Sequence, residues 1–226
     1  MEFRDSVYLT ITGIGNLLAI YFGLYVAPAE VEMGELVRIL YFHLPGAIVT
    51  YITLTLSMVS SILYLRKREW KYDVIAESSA FLGLVYGFIT IVVGSIWANA
   101  TWGVYWNWDP RETTTLILWF AYLGYFLLRM SVENLERRAS VSAVFSILSF
   151  LTVPLSYASF IIWPSLHPRI ASSGGIGLTG TMVQALVLNM LTGLLFYFWL
   201  LRKTYQVRMK SNELLLLTLK EGRHAG

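Results

Sequence analysis

The sequence predicts an all-α, polytopic membrane protein with six transmembrane helices and both termini in the cytoplasm. Three observations carry that expectation. The chain is 56% hydrophobic and only 14% charged, whereas soluble domains average about 25% charged residues. Six apolar runs approach or exceed the roughly 20 residues that a bilayer core demands of a helix. The cations between those runs are sorted to one side, the pattern from which membrane orientation is read. The length of 226 residues leaves no room for a separate soluble domain, so residues 1–226 read as a single membrane domain.

The runs follow in order. The charged start, Met1 to Asp5, leads into a first span over Val7–Ala27 ended by Pro28. No short apolar core with a small-residue cleavage site follows it, so it reads as a retained helix. The second span covers Ile39–Leu65, the third Val74–Ala98 and the fourth Thr114–Met130. The fifth covers Val141–Trp163 and the sixth Leu178–Leu201. Pro45 and Pro154 are expected to kink spans two and five. Asn16 and Asn189 read as helix bridges, and Glu77 as a shallow, wet residue. Ser211–Gly226 reads as a short tail with an apolar patch at Leu214–Leu217 and weak amphipathic character.

Fourteen of the 17 Lys and Arg residues fall on one side: Arg4; Arg66, Lys67, Arg68 and Lys71; Arg129, Arg137 and Arg138; and Arg202, Lys203, Arg208, Lys210, Lys220 and Arg223. The positive-inside rule assigns these to the cytoplasm. Pro28–Arg38, the loop 99–113 and Pro164–Thr179 then lie outside, with one cation each: Arg38, Arg111 and Arg169.

The external loop at 99–113 is the densest feature of the chain. It holds Trp102, Tyr105, Trp106 and Trp108 beside Asp109, Arg111 and Glu112. Indole and phenol rings favour the bilayer surface, where one edge is wet. Trp102 and Trp106 are spaced i, i+4, so a helical turn would stack them on one face. Pro110 disfavours helix at Asp109. The expectation is an aromatic shelf on the bilayer surface with the charged residues at its rim.

Histidine is scarce, and its placement is informative. His224 falls in the tail. His43 lies near the outer end of span two and His167 in the last external loop, both on the face of the tryptophan-rich loop. A lone interfacial His is more often solvated or hydrogen-bonded than a ligand. Two such residues flanking an aromatic shelf shift that balance, because neutral imidazole is the commonest metal ligand. Two imidazoles plus a broad aromatic surface suit a haem, which needs axial ligands and a face for its macrocycle. Arg38, Arg111 and Arg169 would suit its propionates. They would equally pair with Glu30, Glu32, Glu35, Asp109 or Glu112, and both roles can coexist.

Other features exclude function classes. The absence of cysteine rules out disulfides, thiolate nucleophiles and thiolate metal sites. Gly175-x-Gly177-x-x-Gly180 has the letters of a dinucleotide fingerprint but precedes a membrane span and follows no strand. There is no Walker A sequence, so an ATP-driven step would belong to a partner. No nucleic-acid partner is expected, and no evident nucleophile–base pair marks an enzyme.

Trp102-Gly103-x-x-Trp106-x-Trp108-Asp109-x-Arg111-x-Thr113 resembles the WWD signature of the haem-handling proteins of cytochrome c maturation. Six spans, with one His before and one after this loop, look most like the CcmC family. The related CcmF and CcsA (ResC) proteins carry more spans. The resemblance implies that haem b binds at the outer, periplasmic face of the cytoplasmic (inner) membrane, with His43 and His167 as axial ligands. By the same resemblance Trp102, Trp106, Trp108, Asp109 and Arg111 match the signature. It further implies delivery to the haem chaperone CcmE, beside the ABC transporter subunits CcmA and CcmB and the small protein CcmD. Around the second His the family often reads Trp-Trp and then Leu-His-Gln, where this chain has Trp163-Pro164-Ser165-Leu166-His167-Pro168. Two other classes stay open from the residues alone: a bis-His electron-transfer subunit like a cytochrome b, and a small-molecule transporter.

Overall fold

A computed structural model describes residues 3–31, 33–167 and 178–224. Six helical stretches in it are long and apolar enough to cross a membrane. Helix α1 (Phe3–Tyr21) continues as a π-helical turn over Phe22–Val26, α2 spans Val37–Lys67, and α3 spans Trp70–Trp102. Helix α4 runs Pro110–Ser131, α5 Leu135–Ser149, α6 Thr152–Ile162 and α7 Gly180–His224. Among the described residues there are no strands.

Helices α5 and α6 together make the fifth span, Leu135–Ile162. The break between them falls at Phe150 and Leu151, just ahead of Pro154. Proline lacks the N–H for an i→i−4 bond, and its ring collides with the carbonyl four residues back, here that of Phe150. Pro45 acts more mildly, since α2 remains helical through it. Helix α7 departs from the expected end near Leu201. It runs 45 residues, about 68 Å at 1.5 Å per residue, against a hydrocarbon core of about 30 Å. The tail is therefore a helical continuation of the last span, because Lys, Arg, Gln and Leu are good helix formers whether or not lipid surrounds them.

The packing is inverted relative to a soluble bundle. Ser57, Ser60, Ser61, Ser78, Ser79, Ser142, Ser146, Ser156 and Ser159 are buried, while Leu17, Phe88, Phe120, Leu148 and Ile161 are exposed. Small residues let helix backbones approach, and their hydroxyls bridge helices where no water is available. Thr53 Oγ1 donates to the Ser79 carbonyl at 3.0 Å, and Ser57 Oγ to the Ala76 carbonyl at 2.9 Å. A Cβ added at Gly83 would lie 2.2 Å from Leu54 Cδ2, so this glycine sets the approach of α2 and α3.

Asn16 and Asn189 bridge α1 and α7 as expected, through Nδ2 bonds to the carbonyls of Thr192 and Ala19 at 3.4 and 3.0 Å. Glu77 departs from expectation. It is not a free, wet carboxylate but accepts from Arg129 at 3.1 Å and from Arg208. Arg129 also grips Asp73 with both terminal nitrogens, at 2.8 and 2.6 Å, and both residues are buried. These ion pairs fasten α3, α4 and α7 at the cation-rich end of the bundle.

Candidate haem-binding site

The opposite end of the bundle carries both histidines of interest. His43 sits on α2, nearly two turns in from the start of that helix. It packs against α3 at a point where only glycine fits: a Cβ on Gly94 would come within 2.9 Å of His43 Cε1. Trp97, one turn further along α3, meets the imidazole edge to face at 5.7 Å. The His43 Nδ1 is buried and has no hydrogen-bond partner. Buried polar atoms are nearly always paired, and this nitrogen is one of several in the bundle that are not.

Helix α3 ends at Trp102, where Gly103 turns left-handed at φ +77° and its N–H returns to the Asn99 carbonyl at 3.0 Å. Trp106 is therefore not on a helical turn with Trp102, contrary to the expected i, i+4 stack. The segment from Gly103 to Asp109 is held by short polar contacts instead. Ser95 Oγ donates to the Tyr105 carbonyl at 2.7 Å, and the Asn107 N–H to Glu112 Oε2 at 3.1 Å. The Asp109 N–H reaches Asn107 Oδ1 at 3.0 Å, and Thr113 Oγ1 the Trp108 carbonyl at 3.1 Å. These bonds hold Trp108 at φ +62°, a backbone state that costs a bulky residue about 1–3 kcal/mol. Its indole is 70% exposed and meets Trp106 at a right angle, 5.8 Å between ring centres. The three tryptophans do not form one flat shelf.

Asp109 is the most heavily used side chain in this region, and it is buried rather than at a rim. It caps α4 by accepting from the Arg111 N–H at 2.9 Å. It also accepts from Ser165 Oγ at 2.9 Å, the Leu166 N–H at 2.7 Å and His167 Nδ1 at 3.0 Å. Trp102 closes on the His167 ring at 5.4 Å. One carboxylate thus fixes the loop after α6 to the start of α4. Burial alone would push the Asp109 carboxyl up. The N–H groups of Leu166 and Arg111, the Ser165 hydroxyl and His167 outweigh it and hold the group below its ordinary value. Burial pushes the His167 imidazole down, and Asp109 only partly opposes that. His167 is therefore neutral near pH 7. With Asp109 ionised the ring proton sits on Nδ1, and Nε2 keeps its lone pair.

His43 and His167, about 120 residues apart in sequence, line one cavity. Arg111, Glu112, Trp97, Trp106 and Gly94 share its wall. The space they border, open solvent at its mouth included, is about 930 Å³. The Arg111 guanidinium lies 4.6 Å over the Phe160 ring, and among the described residues no carboxylate comes within ion-pair distance of it. Trp102 and Trp108 do not line the cavity.

Arg38 lies apart from this wall. It pairs with Glu35 and donates to the carbonyls of Gly23 and Ala27, both at 3.1 Å. The π-helical turn at the end of α1 leaves those carbonyls, and a cation suits the negative end of a helix. Arg169 lies outside the described residues, as do Glu32, Gly175 and Gly177. The sequence reading missed Trp97, Gly94 and Ser165. The spacing Gly83, Gly87, Gly94 within an apolar span was the available signal for a close approach on α3. Ser165 had none.

These features define a six-span membrane protein with a histidine-lined, cation-bearing cavity at one end of its bundle. Comparison with known proteins narrows that class. The chain belongs to the CcmC family, described as heme exporter protein C, whose profile matches residues 4–218. It is 33% identical over 189 residues to heme exporter protein C of Bradyrhizobium diazoefficiens, covering 80% of this chain and 70% of that one. It is 31% identical over 185 residues to a putative cytochrome c biosynthesis ccmC-like mitochondrial protein of Marchantia polymorpha, covering 79% and 78%. Heme exporter protein C of Paracoccus denitrificans is 28% identical over 202 residues, covering 88% and 84%.

Proposed function

We propose that this chain carries haem b as cargo for cytochrome c biogenesis, held in the cavity between α2, α3, α4 and the loop after α6. His43 and His167 are its axial ligands, and Arg111 takes a propionate. The observation that carries this reading is the convergence of the two imidazoles on one cavity wall beside an uncompensated guanidinium. Neutral imidazole binds iron, and Arg binds carboxylates through paired, charge-assisted hydrogen bonds. The unpartnered nitrogen of His43 and the Asp109-fixed tautomer of His167 suit that role. A carboxylate that holds the second ring nitrogen orients a metal-ligating His and raises its basicity.

The chain's own residues divide the work. Gly94 and Trp97 seat His43; Asp109 and Trp102 seat His167; Trp106 supplies an aromatic wall. Arg38, engaged with the end of α1, supports the start of α2, and the propionate role falls to Arg111. Trp108, outward and exposed, offers a surface to the acceptor. The family relationship and the positive-inside count support the remaining assignments. The cavity opens at the periplasmic face of the inner membrane, both termini are cytoplasmic, and the acceptor is a CcmE-like chaperone. CcmA, CcmB and CcmD are the partners, and ATP chemistry belongs to them.

The test is purification with haem retained, followed by optical spectra of His43→Ala, His167→Ala and a Trp97/Trp102/Trp106 triple variant. Each single His variant loses the bis-His spectrum, and a CcmE-like chaperone removes haem from the parent protein. Unchanged spectra in both single His variants would overturn the ligand assignment.

A further inference from the structure

A second concavity lies at the other end of the bundle. Leu65 of α2, Leu128 of α4, and Val141, Val144, Phe145 and Leu148 of α5 line it, with Arg68 and Ser140 at its mouth. Its space is about 690 Å³ including the open side. Val144 and Leu148 are 48% and 59% exposed, so the groove faces the surroundings of the bundle rather than its core. From Ser140 to Leu148 it follows two helical turns of α5, about 12 Å at 1.5 Å per residue. An apolar slot of that length, running inward from a charged mouth, has the form of an acyl-chain site beneath a headgroup.

The mouth is built and cationic. Arg68 occupies the two-residue turn between α2 and α3, in the left-handed conformation at φ +56°, and its N–H caps the Tyr64 carbonyl at 2.8 Å. Its side chain lies over the Tyr64 ring at 5.8 Å and donates to Ser140 Oγ at 2.7 Å. Arg138 precedes Val141 by one turn and Phe145 by two, so helical spacing sets it at the same end of the groove. Its Nε is buried and has no hydrogen-bond partner. Among the described residues neither arginine has an acidic partner, although Asp73 and Glu77 at the same end are fully engaged with Arg129 and Arg208. Two arginines without carboxylates, over an apolar slot, call for an anion that carries its own hydrocarbon.

We propose that this groove binds one anionic phospholipid, its phosphate on Arg68 and Arg138 and an acyl chain along Val141, Val144 and Leu148. Basic pockets between transmembrane helices on the cation-rich side of a membrane protein suit anionic headgroups. A protein helix would meet the slot with apolar side chains and leave both guanidinium groups without an anion, which favours a lipid over a partner span.

The test uses the full chain in detergent with dioleoyl phosphatidylglycerol or dioleoyl phosphatidylcholine added, read by native mass spectrometry and thermal midpoint. The parent protein retains one phosphatidylglycerol in preference to phosphatidylcholine, and its midpoint rises only with the former. Arg68→Gln and Arg138→Gln each reduce that preference about fivefold, the weight of one cation at the bilayer surface. Val144→Trp fills the slot and abolishes retention without touching a charge. Glycerol phosphate alone does not compete, which separates a lipid from a free phosphate. Equal retention of both lipids, an undiminished preference in the double Arg variant, or displacement of the lipid by a co-purifying protein span would each overturn the assignment. Unchanged circular dichroism in the variants shows that the comparison is between folded proteins.

Discussion

At the cation-rich end, Arg129 gives both terminal nitrogens to Asp73 and a further bond to Glu77, and Glu77 also takes Arg208. At the histidine end, Asp109 is just as fully bonded, yet Arg111 beside it has no acid partner among the described residues and His43 keeps a buried nitrogen unpaired. The Arg129 cluster satisfies its charges internally and locks three helices. The histidine end spends its carboxylate on orienting a ring and leaves a cation and an imidazole unspent. Charge that is satisfied internally reads as architecture, whereas charge left over beside a cavity reads as a place for something to bind. The difference is chemical, not positional, since both ends combine Asp, Glu and Arg.

The largest effect belongs to the locked end. Replacing Arg129 with Met strands the buried Asp73 carboxylate, and breaking a buried pair from one side costs about 3–5 kcal/mol. The thermal midpoint in detergent falls sharply, while the protein that remains folded keeps its haem spectrum. The Arg129→Met/Asp73→Leu double variant regains most of the loss, because no lone buried charge remains. A cost below about 1 kcal/mol, the range of exposed pairs, would erase the contrast between the two ends.

Arg111 gives the opposite pattern and a smaller effect. Its guanidinium has no carboxylate to abandon, so Arg111→Gln leaves the thermal midpoint of the haem-free protein nearly unchanged. Haem retention falls, because a hydrogen bond to a charged group contributes about 1.5–3 kcal/mol, roughly tenfold to a hundredfold in dissociation constant. Gel filtration with absorbance at the haem band measures it. Equal retention with a lowered midpoint would make Arg111 a structural residue like Arg129.

How much of this was legible in the sequence follows the same division. The number of spans rested on apolar length, and Pro154 located the break between α5 and α6. Sorting cations grouped His43, His167 and the tryptophan loop on one side because insertion acts on loop charge, which is a property of sequence. The C-terminal end of α7 was misjudged because hydropathy marks the bilayer and not the helix: Lys203 to Lys210 leave the apolar run yet remain helical. The directions of the indoles were not legible, since one left-handed residue, Trp108, and the end of α3 at Gly103 decide them. The role of Asp109 was hidden because three of its four bonded partners lie more than 50 residues away. Arg38 read equally as a propionate partner or as a partner of Glu35, and it pairs with Glu35; no sequence pattern announces the π-helical turn whose carbonyls it also caps.

Asp109→Asn makes the finest cut between orienting and binding. The amide oxygen still accepts from His167 and caps α4, while the amide NH2 loses the bond from the Leu166 N–H; the fold persists with a looser loop, and haem retention at pH 7 falls about tenfold, the low end for loss of an outer partner to a metal ligand. The acid limb of haem release carries the sharper information. His167 ordinarily titrates near 6.5 and Asp109 near 3.8, and both lie lower in this fold. Below about 6.5 an undocked His167 gains a proton, whereas the Asp109 carboxyl, held below its ordinary 3.8, stays ionised until the pH falls further. A His whose folded pKa is depressed binds its proton more readily when the loop is undocked, so acidification below about 6.5 undocks the loop and releases haem, and the docked form is favoured as pH rises back through that window. Asp109 is the charge that pulls the His167 pKa upward. Removing that charge lowers it further, which widens the undocked ring's preference for the proton, and with affinity at neutral pH already reduced the release midpoint moves to higher pH. Glu112→Gln, which alters the other acid on the cavity wall, leaves that midpoint in place. A midpoint that falls in Asp109→Asn, or that moves only with Glu112, would show that the carboxylate on His167 does not govern the ligand's protonation.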